Sequence, residues 1–158
     1  MKKLCYSLMI MLTLSATGYA MTLREKVGQL FLIRPDQLDP RFTLEQVHND
    51  KPDAPGSKSL DSTMLATLKD YPAGGFAIFR KNIDSPSKLR KLTSALKNSS
   101  TITPIIAVDE EGGRIARLAN HKAFKLRKFP SAQAMAKSGQ VRDSAAYIAS
   151  YLKDYGFN

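Results

Sequence analysis

The chain alternates between short, almost continuously apolar runs and longer stretches in which apolar residues recur at helical spacing. Three of the apolar runs lie at residues 29–33, 76–79 and 104–108. Strands that are buried on both faces have this composition, and they are typical of parallel sheets covered by helices. The pattern therefore predicts three buried parallel strands.

Helices are predicted before, between and after these strands. Thr22 and Glu25 have the spacing of a capping box for a short helix that runs into Gly28. Ser85 is a predicted N-cap, and Pro86 follows at the first helical position. A short helix is predicted at residues 132–136. Helical spacing predicts longer helices with the apolar faces Met64, Leu65, Leu68 and Tyr71; Leu89, Leu92 and Leu96; and Val141, Ala145, Ile148, Leu152 and Tyr155.

Residues 35–58 interrupt this pattern because they are rich in proline, aspartate and lysine. Thr43 can cap a short helix within them, and residues 51–56 have the composition of a turn or loop. We interpret the segment as a surface insertion.

The predicted order is helix, strand, helix, strand, helix, strand, helix. Repeated βα units place the chain in the α/β class and are typical of doubly wound sheets and of (β/α)8 barrels. A complete barrel takes about 250 residues, whereas this chain has 158. We therefore expect about three βα units of a larger domain, in a chain that is cut short.

Residues 1–20 have the pattern of a secretory signal peptide. Lys2 and Lys3 precede an apolar run at residues 4–14, and Gly18 and Ala20 supply the small residues before a cleavage site. A membrane span needs about 20 apolar residues, so the run is short for one; an uncleaved N-terminal anchor is the alternative. We predict a secreted, periplasmic or cell-envelope protein with its domain at residues 21–158 and no membrane contact after cleavage.

Removal of the signal would lower the formal net charge from +10 to +8, because residues 1–20 hold two lysines and no acid. It would also remove Cys5, the single cysteine, and with it any disulfide or thiolate metal ligand. A basic surface favours anionic partners. Since the chain has no tryptophan and no aromatic-rich basic stripe, we expect no nucleic-acid partner. The basic loop at residues 120–128 is either solvated or the rim of a pocket for acidic glycans.

The third apolar run ends in the charged stretch AVDEEGGRIARL at residues 107–118. Asp109 directly follows the predicted strand, where a carboxylate can cap a turn or face a pocket. A calcium site needs spaced oxygens from about six ligands, which adjacent acids do not offer. The glycines at 112 and 113 lack the context of a phosphate-binding loop, so we expect close backbone packing there. We therefore predict neither a metal nor a cofactor.

Glu110 and Glu111 are expected to be structural, through capping or pairing with Arg114. Arg114 itself can form an ion pair or touch a substrate. His48 and His121 have no partners at metal-site or triad spacing, and we expect both at the surface.

Several motifs occur in an order that resembles a known family. They are Val27 to Phe31 (VGQLF), Gly74 to Ile83 (GGFAIFRKNI), Pro104 to Leu118 (PIIAVDEEGGRIARL) and Phe129 to Ala132 (FPSA). Together they resemble the N-terminal (β/α)8 domain of glycoside hydrolase family 3, in its β-N-acetylglucosaminidase (β-N-acetylhexosaminidase) branch. The resemblance covers about residues 23–158.

This resemblance implies a retaining glycosidase that removes a non-reducing β-linked N-acetylglucosamine from cell-wall (peptidoglycan) or chitin-like glycans. It assigns Asp109 and Arg117 to substrate binding. The nucleophile, the proton-donor pair and a Lys-His sugar-binding pair are expected beyond Asn158, so no catalytic residue is assigned and the 158-residue chain is expected to be inactive alone. The alternatives are a non-catalytic truncated homologue or weak sugar binder, a β-glucosidase-type member of the family, and a basic cell-surface binding protein. Neither the exact sugar nor the oligomeric state follows from the sequence.

Overall fold

A parallel sheet of three strands organises the computed structural model, which describes residues 20–51 and 53–158. The strands are β1 (Leu32–Ile33), β2 (Gly75–Ile78) and β3 (Ile105–Val108), in the order β1-β2-β3. Ile33 pairs with Phe76, and Ile78 pairs with Val108. The prediction of an α/β protein with a parallel sheet is confirmed. The predicted signal peptide lies outside the described residues except for Ala20.

Helices flank the sheet near the predicted positions. The short ones are α1 (Leu23–Gly28), α2 (Leu44–His48) and α5 (Ala132–Lys137), and the longer ones are α3 (Ser62–Asp70), α4 (Pro86–Lys97) and α6 (Val141–Asp154). Thr22 and Glu25 form the predicted capping box, and Ser85 caps α4 ahead of Pro86. In the described part of the chain, no helix combines the length and the apolar character that crossing a membrane requires.

The prediction that all three strands are buried is wrong for the outer two. Residues 29–31 form a turn instead of strand, and Leu30 is 82% exposed. Ile105 on β3 is 57% exposed. Because β1 and β3 are the two edges of the sheet, only β2 has a strand on each side, and its Phe76 and Ile78 are buried.

Two predicted helix faces are also partly wrong. Leu65 and Tyr71 of the α3 region are exposed, whereas Met64 and Leu68 are buried. On α6, Val141 and Ala145 are exposed, whereas Ile148, Leu152 and Tyr155 pack against the core as predicted. The buried part of α6 also includes Ser144 and Tyr151, and the Tyr151 hydroxyl donates to the Glu110 carboxylate beside the sheet.

The interpretation of residues 35–58 as a surface insertion is wrong as well. Leu38 and Val47 are buried, and Leu38 belongs to the hydrophobic core. Asp36 is fully buried, and its carboxylate accepts hydrogen bonds from the Ser57 amide (2.7 Å) and from Asn82 Nδ2 (3.0 Å). These hydrogen bonds satisfy the buried carboxylate and fold the segment back onto the sheet.

An antiparallel hairpin that the sequence did not predict follows β3. Its strands are β4 (Glu110–Gly112) and β5 (Ile115–Ala116). Gly112 has φ +83°, and a Cβ atom there would collide with the carbonyl oxygen of Pro130. The expected close backbone packing of the glycine pair is therefore confirmed.

Candidate functional site

Three residues whose side chains can contact a ligand directly follow the carboxyl ends of the parallel strands. Arg34 follows β1, Phe79 follows β2, and Asp109 follows β3. Because parallel strands end at the same edge of a sheet, these residues lie along one edge, where α/β proteins commonly bind ligands. Arg117, from the end of β5, completes the group.

Asp109 and Arg117 form an ion pair at this edge. Arg117 Nη2 lies 3.1 Å from Asp109 Oδ2, and the Arg117 amide donates to the Asp109 carbonyl oxygen (3.2 Å). The Asp109 side chain is 52% exposed and that of Arg117 is 22% exposed. The hairpin thus brings together the two residues that the sequence assigned to substrate binding.

Both members of the pair keep unused hydrogen-bonding capacity. Within the described residues, Asp109 Oδ1 accepts no hydrogen bond, and Arg117 Nε is buried without an acceptor. A buried N–H group without a partner costs about 1–3 kcal/mol. A polyhydroxy ligand offers O–H donors to the carboxylate and oxygen acceptors to the guanidinium, so it complements this arrangement.

Glu110 is structural, as expected, but it does not pair with Arg114. Its carboxylate accepts hydrogen bonds from the Leu118 amide (2.8 Å), the Ala119 amide (2.9 Å) and the Tyr151 hydroxyl (2.7 Å). Burial, followed by the hydrogen bond to Glu110, raises the pKa of Tyr151. Since Leu118 and Ala119 directly follow Arg117, the Glu110 carboxylate fixes the backbone that carries that arginine.

The site also includes Arg34, Asp50 and Phe79, which no sequence motif predicted. Arg34 Nη1 donates to Asp50 Oδ1 (2.6 Å) and to the Val47 carbonyl oxygen (2.8 Å), while Nη2 donates to Asp50 Oδ2 (3.2 Å). The Arg34 guanidinium lies over the Phe79 ring at 3.8 Å from its centroid, and the Arg117 guanidinium lies 5.8 Å from the same centroid. Their positions in the sequence could have indicated Arg34 and Phe79, because both residues directly follow apolar runs.

A buried ion pair anchors the same region. Lys81 Nζ lies 3.3 Å from Asp36 Oδ2, and both side chains are fully buried. Lys81 also donates to the carbonyl oxygens of Gln46 (2.8 Å) and Val47 (2.7 Å) at the end of α2. Cations complement the exposed carbonyls and the dipole at a helix C-terminus. Arg34 and Lys81 together therefore hold the end of α2 against the sheet edge.

The histidines lie where neither can act as a metal ligand with others. His48 is exposed, as expected. His121 is only partly exposed; burial lowers its pKa, and the nearby Arg80 cation adds to this effect. In the described ranges, no three His, Cys, Asp or Glu side chains come together as metal ligands.

The chain is similar to known proteins over part of its length. No family model matches the chain. The chain is 36% identical over 77 residues to the beta-hexosaminidase of Neisseria gonorrhoeae, a match that covers 49% of this chain and 19% of that protein. The chain thus spans about a fifth of the length of the curated relatives it matches.

The solved structures that resemble the fold include the following two. One is NagZ from Neisseria gonorrhoeae in complex with N-trifluoroacetyl-D-glucosamine, with a TM-score of 0.51, 28% identity, and coverage of 64% of this chain and 32% of that one. The other is a glycoside hydrolase family 3 beta-N-acetylglucosaminidase from Paenibacillus, with a TM-score of 0.65, 23% identity, and coverage of 88% of this chain and 23% of that one. The resemblance to family 3 that the sequence predicted is confirmed.

Proposed function

We propose that the chain forms part of a retaining glycosidase that removes a non-reducing β-linked N-acetylglucosamine, and that Asp109 and Arg117 hold this sugar. The observation that carries the proposal is their ion pair at the carboxyl edge of the parallel sheet, where both keep unused hydrogen-bonding capacity. The resemblance to NagZ from Neisseria gonorrhoeae in complex with N-trifluoroacetyl-D-glucosamine supports this choice of sugar.

The site fits binding better than bond cleavage. Retaining hydrolysis needs two carboxyl groups about 5–5.5 Å apart, on either side of the scissile bond. Two further carboxylates among the described residues near Asp109 are committed elsewhere: Glu110 to three hydrogen bonds and Asp50 to Arg34. Asp109 itself pairs with Arg117 through one carboxylate oxygen, which leaves the other oxygen to accept sugar hydroxyls.

The wider architecture is part of the same proposal. The three parallel strands and their helices would form one portion of a (β/α)8 domain, comprising residues 21–158. Residues 1–20 would direct the protein to the cell envelope, where peptidoglycan is a source of β-linked N-acetylglucosamine. Sequencing the N-terminus of protein recovered from the envelope tests the signal: a start at Met21 supports it, and an intact Met1 overturns it.

Sugar binding is tested by fluorine NMR with N-trifluoroacetyl-D-glucosamine as the reporter ligand. The chain should shift or broaden the fluorine signal, and Asp109→Asn and Arg117→Met should each abolish this effect. Asp154→Asn is the matched control, because Asp154 is an exposed acid on α6. Equal binding by the Asp109→Asn variant, or no binding by the unaltered chain, would exclude the proposed role.

Hydrolysis is tested separately with a chromogenic β-N-acetylglucosaminide. The 158-residue chain should release no more chromophore than the Asp109→Asn variant, since neither a nucleophile nor a proton donor is assigned to any of its residues. Turnover above that background would show that this chain carries its own catalytic carboxyl pair.

A further inference from the structure

The Arg34 side chain, which lies beside the sugar site, is held through both of its terminal nitrogens. Both terminal nitrogens donate hydrogen bonds to the Asp50 carboxylate, and Nη1 also donates to the Val47 carbonyl oxygen. The side chain is 19% exposed. Arg34 is therefore held in place from the loop that follows α2, and its planar face lies against Phe79 at 3.8 Å.

Two guanidinium groups lie near the Phe79 ring. The Arg34 group is closely stacked, and the Arg117 group lies 5.8 Å from the ring centroid. The electron-rich face of an aromatic ring attracts cations, with most strength where water is excluded. Each cation is neutralised by a carboxylate: Arg34 pairs with Asp50, and Arg117 pairs with Asp109.

Arg117 is otherwise weakly oriented. Only one of its side-chain nitrogens, Nη2, has a hydrogen-bond partner among the described residues, and its buried Nε has none. Beyond the ion-pair contact at 3.1 Å, no hydrogen bond from the described residues fixes the plane of the guanidinium. The nearby Phe79 ring is a second group that can restrain the plane of the Arg117 guanidinium.

We infer that Asp50, Arg34 and Phe79 form a positioning unit that orients the Arg117 guanidinium toward the sugar. Asp50 fixes Arg34, Arg34 fixes the ring, and the ring limits the orientations that Arg117 adopts. This inference rests on the proposed sugar site for its consequence in binding, while the orientation of Arg117 is a property of the chain alone.

The first experiment measures affinity for N-trifluoroacetyl-D-glucosamine by fluorine NMR. Phe79→Leu and Arg34→Met should each weaken binding by about threefold to thirtyfold, the range expected for loss of a cation–ring contact. Phe79→Tyr keeps the ring and should keep the affinity. Arg90→Met is the matched control, because Arg90 lies over another ring, that of Tyr155, at 4.3 Å; it should leave the affinity unchanged.

The second experiment needs no sugar. Nitrogen-15 relaxation of the Arg117 Nε–H group, identified by its loss in Arg117→Lys, reports how firmly the guanidinium is held. Phe79→Leu and Arg34→Met should increase its motion, and Phe79→Tyr should not. Unchanged motion in both Phe79→Leu and Arg34→Met would overturn the positioning unit, as would an equal increase in Arg90→Met. Absence of sugar binding by the unaltered chain would exclude the sugar site, and the relaxation result would still decide the role of Phe79.

Discussion

The hydrogen bond between Tyr151 and Glu110 joins helix α6 to the turn that carries Arg117, so its removal should destabilise both. The donor–acceptor distance is 2.7 Å, and the acceptor is a carboxylate. A hydrogen bond to a charged group contributes about 1.5–3 kcal/mol. Tyr151→Phe should therefore lower the free energy of unfolding by about 1.5–3 kcal/mol.

Glu110→Gln should cost more than Tyr151→Phe. The carboxylate accepts from the Leu118 amide, the Ala119 amide and the Tyr151 hydroxyl. A glutamine amide has one oxygen and one NH2 group, so at least one of these donors faces another donor. An unpaired buried donor adds about 1–3 kcal/mol to the loss of a charge-assisted bond. Together these effects predict a loss of about 3–5 kcal/mol.

Urea unfolding followed by circular dichroism measures both losses. Tyr147→Phe is the matched control, because Tyr147 lies on the same helix, keeps its ring contact with Tyr151 and is more exposed. Combining Glu110→Gln with Tyr151→Phe should cost less than the two single losses added together, because residues that share a hydrogen bond do not act independently. Strict additivity, or an equal loss in Tyr147→Phe, would refute the assigned contact.

The stability that this hydrogen bond contributes depends on pH. Burial and Glu110 raise the pKa of Tyr151 in the folded chain above the unfolded value of about 10. The folded state then keeps a proton that the unfolded state loses, so the stability is fully present below about pH 10 and declines as the pH rises further. Tyr151→Phe should flatten this alkaline decline; parallel declines in the two proteins would contradict the pKa shift.

Two other substitutions test features beside this contact. Gly112→Ala should lower the free energy of unfolding by at least about 2 kcal/mol, because it adds a clash with the Pro130 carbonyl oxygen to the strain of a positive φ. Gly139→Ala is the control: Gly139 also has a positive φ but lies in open space, so its substitution should cost about 1 kcal/mol. Equal losses in urea unfolding would exclude the clash. Hydrogen bonding to Arg41 lowers the pKa of Asp39 below its unfolded value, which contributes stability that is lost as the pH falls through the folded pKa. Arg41→Met should therefore reduce the loss of stability below about pH 4. An unchanged decrease of the melting temperature below this pH would refute the prediction.

Features that depend on a few adjacent residues followed from the sequence. The capping box of Thr22 and Glu25 and the start of α4 at Pro86 need only local spacing, because the cap satisfies amide groups within the same turn. Apolar runs likewise located β2 and β3. Exposure did not follow, since Leu30 and Ile105 are apolar but lie at sheet edges, and composition alone does not distinguish an edge strand from a central one.

The burial of residues 35–58 was hidden for a related reason. A segment rich in charged residues resembles a loop unless its charges are known to be satisfied. Asp36 is satisfied by Asn82 and Lys81, more than forty positions away, and that partnership exists only after β1 and β2 have paired. Polar composition therefore indicated a surface where the chain instead forms a buried ion pair.

The candidate site combines both kinds of information. Asp109 was predictable as a strand-end residue, and its partner Arg117 lies eight positions later, within one hairpin. Arg34 and Asp50, sixteen positions apart, close a second loop in the same way. Each arginine–carboxylate pair is local, but the Phe79 ring that lies near both guanidinium groups comes from the strand between them. Because β2 is the central strand, the residue that follows it can reach the side chains that follow both of its neighbours, so Phe79 is the position at which a substitution should affect both pairs at once.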